Sequence, residues 1–202
     1  MTPRFNRWTK RMASIALAGA LVFSGVSSAN ATTFPDVSDR YKEVVDYLVD
    51  NYLIIGFPDR FGTHEAVKRV DAVVILAKVL ELDEVDAPAA SFTDVPSRAQ
   101  GAISALAAAG IINGKSETRF GAEDPLTRGE MALILQRAYQ LEAASDTLKF
   151  TDVSDRYEEA VAALVDNHIT LGKTPVQFGT KDSITRGELA IFIYRLKDHK
   201  TF

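Results

Sequence analysis

Cysteine is absent from this chain of 202 residues, and tryptophan and histidine are nearly absent, with one and three copies. A chain without cysteine forms no disulfide and no thiolate-bound metal site, so its stability depends on an apolar core. The three histidines, His64, His168 and His199, share no regular spacing, and we predict no metal site and no cofactor. No Gly-x-Ser-x-Gly or His-Glu-x-x-His motif occurs either, so we predict that the chain is not an enzyme.

Long apolar runs are also missing, apart from one near the start of the chain. Four basic residues lie within the first 11, an uncharged and mostly apolar run of 14 covers residues 13–26, and Ala29-Asn30-Ala31 offers small residues for cleavage. Because that run is shorter than the ~18 residues of a membrane-spanning helix, we predict a secretory signal peptide over residues 1–31. After its cleavage we expect a secreted protein with no membrane segment.

Excess positive charge is missing from the rest of the chain. Residues 32–202 carry 19 Lys+Arg against 27 Asp+Glu, a net charge of about −8. Binding to nucleic acid or to an anionic membrane surface normally requires a basic patch, and this chain has only isolated arginines. We therefore predict that nucleic acid is not a partner.

A segment that begins Phe-x-Asp-Val and leads to Arg-x-Glu or Arg-x-Asp occurs three times. The copies begin at Phe34, Phe92 and Phe150, 58 residues apart. Equal spacing predicts equal structural units, which we place at residues 32–90, 91–148 and 149–202. A glycine, a Phe-Gly pair and an arginine follow each start in the same order: Gly56, Gly114 and Gly172; Phe61, Phe120 and Phe178; Arg69, Arg128 and Arg186.

Each copy contains the patterns of two helices. In the first half, apolar residues recur every three or four positions, as over residues 41–53. The second half opens with Thr-Arg-Gly-Glu at residues 127–130 and 185–188, a capping box that starts a helix. The first copy has Lys-Arg-Val-Asp at residues 68–71, so we expect a weaker or different cap there. We expect the acids that precede the first helices to cap them: Asp36, Asp94 and Asp152.

One helix-loop-helix unit of this length cannot enclose its own apolar face, so adjacent copies must share a core. Phe-x-Asp-Val, the glycine, Phe-Gly and Thr-Arg-Gly-Glu, three times in register, resemble S-layer homology repeats over almost all of the chain after residue 31. The resemblance implies an all-α fold in which three helix-loop-helix repeats pack as a pseudo-threefold helical bundle, with the first helices at its centre. It also implies that grooves between repeats bind secondary cell wall polysaccharide, a glycan carrying ketal-linked pyruvate.

The resemblance further implies which residues bind the glycan. A helix start offers unpaired amides and the positive end of its dipole to a carboxylate, and an arginine there can add two hydrogen bonds. The ligand arginines carry over onto Arg128 and Arg186, and also onto Arg69, where Lys68 and Val70 depart from the pattern. Groove aspartates, glycines that let the backbone approach the sugar, and tyrosines in place of the family's tryptophan complete the predicted site: Asp36, Asp94, Asp152, Gly56, Gly114, Gly172, Tyr41 and Tyr157.

We therefore predict non-covalent anchoring at the cell wall or S-layer of a Gram-positive envelope through the pyruvylated glycan. The alternative is a structural or assembly component of the surface layer that acts through contacts with other surface-layer proteins. Because Lys68 replaces the capping threonine and the loop of the first copy is one residue shorter, we also expect the groove of Arg69 to be the weakest or the most different of the three.

Overall fold

The computed structural model describes residues 34–144 and 148–199. Contacts along the chain divide it into two units, Met1–Ala31 and Thr32–Phe202, and the described residues all belong to the second unit. The predicted signal peptide, residues 1–31, lies outside the described residues and stays a prediction.

Two α-helices joined by a loop form each repeat. In chain order the helices are α1 (Asp39–Asp50), α2 (Arg69–Val79), α3 (Gln100–Ala108), α4 (Arg128–Tyr139), α5 (Asp155–Asp166) and α6 (Arg186–Leu196). A 3-10 turn, Ser97–Ala99, leads into α3. Strand-like pairing within the described residues is limited to isolated bridges. The prediction of an all-α fold built from helix-loop-helix repeats is confirmed.

Capping differs among the second helices as the sequence predicts. In α4 the Thr127 hydroxyl accepts from the Glu130 amide at 3.2 Å, and the Glu130 carboxylate accepts from the Thr127 amide at 3.0 Å. The same box joins Thr185 and Glu188 in α6. Lys68 makes no side-chain cap at the start of α2, so the first turn of α2 depends on other contacts.

The second helix of each repeat packs against the first helix of the next repeat. α2 packs on α3, α4 packs on α5, and α6 packs on α1, which closes the three repeats into a ring. Three backbone hydrogen bonds of 2.9 Å join the repeats in a second ring: the amide of Val67 donates to Ile184, that of Ile184 to Leu126, and that of Leu126 to Val67. Each bond joins equivalent positions of two repeats, so the bundle is pseudo-threefold.

Aromatic pairs fill the middle of each repeat. The inner ring of each pair is fully buried and lies 5.6–5.9 Å from the phenylalanine that begins its repeat: Phe61, Phe120 and Phe178. A Cβ atom on the mid-repeat glycine would come within 2.3–2.4 Å of the opening ring: Gly56, Gly114 and Gly172. Glycine is therefore needed at this position, because the opening ring packs directly onto the backbone.

Two departures from the repeat pattern meet between repeats 1 and 2. A Cβ atom on Gly187 in α6 would come 2.9 Å from Tyr41, so only glycine fits there. The equivalent residue of α2 is Val70, whose amide donates to Ala122 at 3.0 Å, and Ala99 stands at the tyrosine position. Val70, Ala99 and Ala122 are all buried. Because Ala122 and Ala99 are equivalent to Thr63 and Tyr41, which lie against Gly187, we infer that the two small alanines leave the space for the valine.

Ala99→Tyr is expected to destabilise the protein by about 1–3 kcal/mol, since the tyrosine must overlap Val70 in a filled interior. Adding Val70→Gly should recover part of this loss, although Val70→Gly alone is destabilising. Urea unfolding of the wild type, both single variants and the double variant measures the coupling. Additive effects of the two substitutions would contradict the contact.

Candidate functional site

Three equivalent sites lie where the second helix of one repeat begins against the loop of the next. We name each by the first residue of that helix. The Arg69 junction joins repeats 1 and 2, the Arg128 junction joins repeats 2 and 3, and the Arg186 junction joins repeats 3 and 1. Each junction draws residues from two repeats, so one copy alone does not contain a complete site.

The amides at these helix starts are bonded within the protein. In α4 the amides of Arg128 and Gly129 donate to the carbonyls of Asp182 and Thr180, at 2.9 and 3.0 Å. The first two amides of α2 and of α6 make the equivalent bonds to the next repeat. The expectation that these amides are unpaired and available to a ligand is wrong, because the closure of the ring uses them.

Each junction arginine is held by the loop against which its helix begins. The Nε atoms of Arg69, Arg128 and Arg186 donate to the carbonyl of the phenylalanine in the next repeat's Phe-Gly pair, at 3.2, 2.9 and 2.8 Å. Each guanidinium also lies 4.7–4.9 Å from the ring of that phenylalanine. The arginines predicted to bind a ligand therefore also join the repeats.

Glutamates of the capping boxes bind two of the three arginines. Arg69 Nη1 lies 3.3 Å from Glu130 Oε1, and Arg128 Nη1 lies 3.0 Å from Glu188 Oε1. The two arginines are only 5% and 3% exposed. Burial lowers the pKa of Arg128, and the negative charge of Glu188 opposes that shift. The guanidinium stays charged inside the junction, as arginine does in proteins.

The Arg186 junction lacks this ion pair. The third residue of α2 is Asp71, which is shorter than glutamate and pairs instead with Arg98, at 2.8 Å. Arg186 donates through Nε to the Phe61 carbonyl at 2.8 Å and through Nη2 to the Ile55 carbonyl at 2.9 Å. In the part of the chain that the structure describes, no group hydrogen-bonds to Arg186 Nη1 or forms an ion pair with it.

A cavity of about 290 Å³ opens beside Arg186. Its volume is near the lower end of small-molecule pockets, about 300 Å³. Apolar residues of the repeat 1 loop and of α2 form most of its wall, with Asp71 and three cations: Lys78, Arg98 and Arg186. Burial lowers the pKa of Arg186, and the charges of Glu65, Asp71 and Asp36 oppose the shift. This junction combines an available guanidinium with room for a ligand.

The predicted groove aspartates hold the loops that face the arginines. The Asp152 carboxylate accepts hydrogen bonds from three consecutive amides, residues 178–180, at 2.7–3.1 Å. Asp36 and Asp94 make the same three bonds in their own repeats. Desolvation raises the pKa of each carboxyl, but the amide bonds together outweigh it and the pKa falls below its ordinary value.

Our prediction that these aspartates cap the first helices is wrong. The N-cap residues of α1 and α5 are Ser38 and Ser154, and Pro96 precedes the 3-10 turn before α3. The aspartate carboxylates are bound by amides that lie 25 to 28 residues further along the chain. The aspartates thus position the carbonyls that hold the arginines, and their contact with a sugar stays a prediction.

The remaining predicted site residues have packing roles. The opening phenylalanine covers the open side of the three glycines, and an approach of sugar to them stays a prediction: Gly56, Gly114 and Gly172. Tyr41 is only 8% exposed and lies against Gly187 of α6, which leaves little of its ring for a stacked sugar. Tyr157 lies against Gly129 and is half-buried, so more of its ring is accessible.

Comparison with known proteins agrees with this architecture. The family model described as "S-layer homology domain" matches residues 33–73, 91–132 and 149–190, more than half of the chain. The chain belongs to the S-layer homology domain family. Each match begins just before the opening phenylalanine and ends within the second helix, so the family unit is the helix-loop-helix repeat. The exact boundaries that we predicted for the repeats stay predictions.

The relatives that this chain resembles are much longer proteins. The chain is 31% identical over 194 residues to an S-layer protein of Bacillus licheniformis and 30% identical over 194 residues to S-layer protein EA1 of Bacillus anthracis, covering 91% of the chain and 22% of each relative. It is 30% identical over 208 residues to exoglucanase XynX of Acetivibrio thermocellus, covering 96% of the chain and 19% of that relative. The chain spans about a fifth of the length of these relatives.

The S-layer homology repeats and these relatives identify a secreted protein associated with the bacterial cell wall, as the sequence predicted. The segment shared with the S-layer proteins and with the exoglucanase contains the three repeats. Over residues 34–144 and 148–199, no helix has the length and apolar character needed to cross a membrane. The same residues contain no group of three or more acidic or histidine side chains placed to hold a metal ion.

Three acids of the S-layer homology junctions were missed by the sequence analysis: Glu130, Glu188 and Asp71. The capping box already gave Glu130 and Glu188 a role, so nothing in the sequence required them to bind an arginine. A signal was present, however: these two acids and Asp71 occupy the same position, the third residue of the second helix. The expectation that the Arg69 groove is the weakest or most different concerns glycan binding and stays a prediction. In the ion pairs, the lost capping box of α2 changes the Arg186 junction, because Asp71 stands where Arg186 would find its glutamate.

Arg128→Ala is expected to lower the free energy of unfolding by about 3 kcal/mol or more, because it leaves Glu188 without its partner in a buried junction. Arg186→Ala removes hydrogen bonds but no ion pair, so we expect a loss of about 1–2 kcal/mol. Urea unfolding measures both losses, with Lys181→Ala as an exposed cation for control. Equal losses in the two arginine variants would contradict the difference between the junctions.

Proposed function

We propose that this chain binds a secondary cell wall polysaccharide carrying ketal-linked pyruvate and is thereby anchored to the cell wall without a covalent bond. The observation that carries the proposal is the state of Arg186. Two carbonyls fix its guanidinium, no described residue offers Nη1 a carboxylate, and the side chain lines a cavity of about 290 Å³.

A carboxylate is the ligand that fits this guanidinium. Arginine carries five N–H donors, and the bonds to Phe61 and Ile55 use one on Nε and one on Nη2. The donors of Nη1 and the second donor of Nη2 can form a paired hydrogen bond with two carboxylate oxygens. Because the carbonyls already hold the side chain, binding costs little additional side-chain entropy.

Charge near the cavity supports an anionic ligand, although the chain as a whole does not attract one. Residues 32–202 carry a net charge of about −8, which repels an anionic polymer at long range. Three cations and one acid lie on the cavity wall, and their excess positive charge acts within a Debye length of about 8 Å. We therefore attribute the affinity to short-range geometry.

The apolar part of the cavity suits the ketal itself. Ile55 is 75% exposed and lines the cavity together with Leu53 and Val74. A ketal-linked pyruvate presents a methyl group next to its carboxylate, and burying one such group contributes about 0.8 kcal/mol. A pyruvylated sugar therefore matches both the guanidinium and its apolar surroundings.

We propose a binding role rather than a catalytic one for the repeats. The acids that recur with the fold bind loop amides, helix caps or arginines: Asp36, Asp94, Asp152, Glu130 and Glu188. Such contacts within the protein are those expected of residues that maintain the fold. Turnover of purified cell wall by the exported protein would contradict this part of the proposal.

An assembly role in the surface layer is the second candidate, and one observation favours it. Tyr52 and Ile55 are 81% and 75% exposed in repeat 1, and Leu171 is 69% exposed in repeat 3. Contacts with other surface-layer proteins would cover these large apolar side chains. Concentration-dependent association of the exported protein without glycan would support this role.

The exported protein should be retained on purified cell walls and lose most of this retention once the non-peptidoglycan polymer is extracted. Arg186→Ala should weaken binding about tenfold or more, as expected for the loss of a charge-assisted hydrogen bond. Arg186→Lys should lose nearly as much, because an ammonium group cannot form the paired bond. The pull-down compares native walls, stripped walls and walls freed of ketal pyruvate. Equal retention on stripped walls would point to peptidoglycan and contradict the proposal.

A further inference from the structure

The acid at the third position of each second helix differs in length among the junctions. α4 and α6 have Glu130 and Glu188 at this position, and α2 has Asp71. Each of these acids belongs to the repeat that follows the arginine it faces. The residue at this position can therefore determine whether the arginine of the preceding repeat is available.

In the two glutamate junctions the carboxylate is bound from two sides. Glu188 Oε2 accepts from the Thr185 amide at 3.0 Å, and Glu188 Oε1 lies 3.0 Å from Arg128 Nη1. Glu130 makes the equivalent contacts, with the Thr127 amide at 3.0 Å and Arg69 Nη1 at 3.3 Å. The capping box thus holds an internal carboxylate on the arginine, at the position where the carboxylate of a ligand would bind.

Asp71 leaves the third arginine without this internal carboxylate. Its side chain is one methylene shorter, and α2 has no side-chain cap. The carboxylate pairs with Arg98 at 2.8 Å, and among the described residues the Arg186 side chain forms hydrogen bonds only through Nε and Nη2. Arg186 and Asp71 both line the cavity of about 290 Å³.

The loop opposite Arg186 differs as well. The residue after the mid-repeat glycine is Lys115 in repeat 2 and Lys173 in repeat 3, and each lysine binds an acid of its own loop, at 2.7 and 2.6 Å. In repeat 1 this residue is Phe57, whose ring lies 5.0 Å from the Arg186 guanidinium. The Arg186 junction therefore has an aromatic ring where the other two have a lysine, and the acid of this loop, Glu65, pairs with Arg60 at 2.8 Å instead.

We propose that the length of this acid selects the junction that accepts the glycan. Asp71 leaves Arg186 open to one pyruvate carboxylate, whereas Glu130 and Glu188 close the other two junctions as internal carboxylates. The inference rests on the proposed function for the identity of the ligand. It adds that each chain has one working groove, formed by repeats 3 and 1, and that Asp71 specifies it.

The test is a calorimetric titration of the exported protein with a methyl glycoside that carries ketal-linked pyruvate. The wild type should bind one probe per chain. Asp71→Glu should weaken binding about tenfold or more, because the longer acid can reach Arg186 as Glu188 reaches Arg128. Combining Lys68→Thr with Asp71→Glu completes the capping box and should weaken binding further. Asp39→Glu, the same change in the first turn of α1, is the matched control.

Asp71→Asn separates length from charge. It should bind the probe about two- to threefold more tightly, since a negative charge beside the ligand is removed while the side chain stays short. Thermal unfolding of each variant verifies that it is folded.

Three results would overturn the inference: more than one probe per wild-type chain, unchanged binding in Asp71→Glu, or no binding of the probe by the wild type. If the wild type does not bind the probe, its retention on native walls distinguishes the proposed anchoring role from the selection of one groove by Asp71. Continued retention would leave the anchoring role in place without this groove, whereas loss of retention would end both.

Discussion

One contact recurs in every repeat and supports the rest of the structure: an aspartate carboxylate that binds three consecutive loop amides. Asp36, Asp94 and Asp152 fix the Phe-Gly loops in this way. The carbonyls of the fixed loop then accept the first amides of a helix from the preceding repeat, and also the Nε of its arginine. Because this relation runs from repeat 1 to 2, from 2 to 3 and from 3 to 1, three local contacts close a ring.

A closed ring makes a change in one repeat act on another. Val70 of repeat 1 fits because repeat 2 has alanines at positions 99 and 122. Asp71, also in repeat 1, leaves the arginine of repeat 3 without an ion pair among the residues that the structure describes. The three junctions share one backbone geometry but differ in whether a glutamate carboxylate of the protein pairs with the arginine. Structural equivalence of the repeats therefore does not imply equal binding.

Much of the fold could be predicted from residues in register. The period of apolar side chains and the Thr-x-x-Glu pattern predict the helices and their caps, because these contacts lie within a few residues of one another. The role of Asp152 could not be predicted, since the amides that bind it lie 26 to 28 residues away. The open state of Arg186 also could not, because one of its contacts spans 131 residues. No periodicity within a repeat shows which repeat faces which.

A crystal structure of the exported protein with a pyruvylated wall saccharide would test the central claim most directly. The account predicts the ligand carboxylate on Nη1 and Nη2 of Arg186, at about 2.7–2.9 Å. Glu130 and Glu188 should remain on Arg69 and Arg128 in the same crystal. A carboxylate on either of those arginines with its glutamate displaced, or a saccharide bound away from all three junctions, would contradict the account.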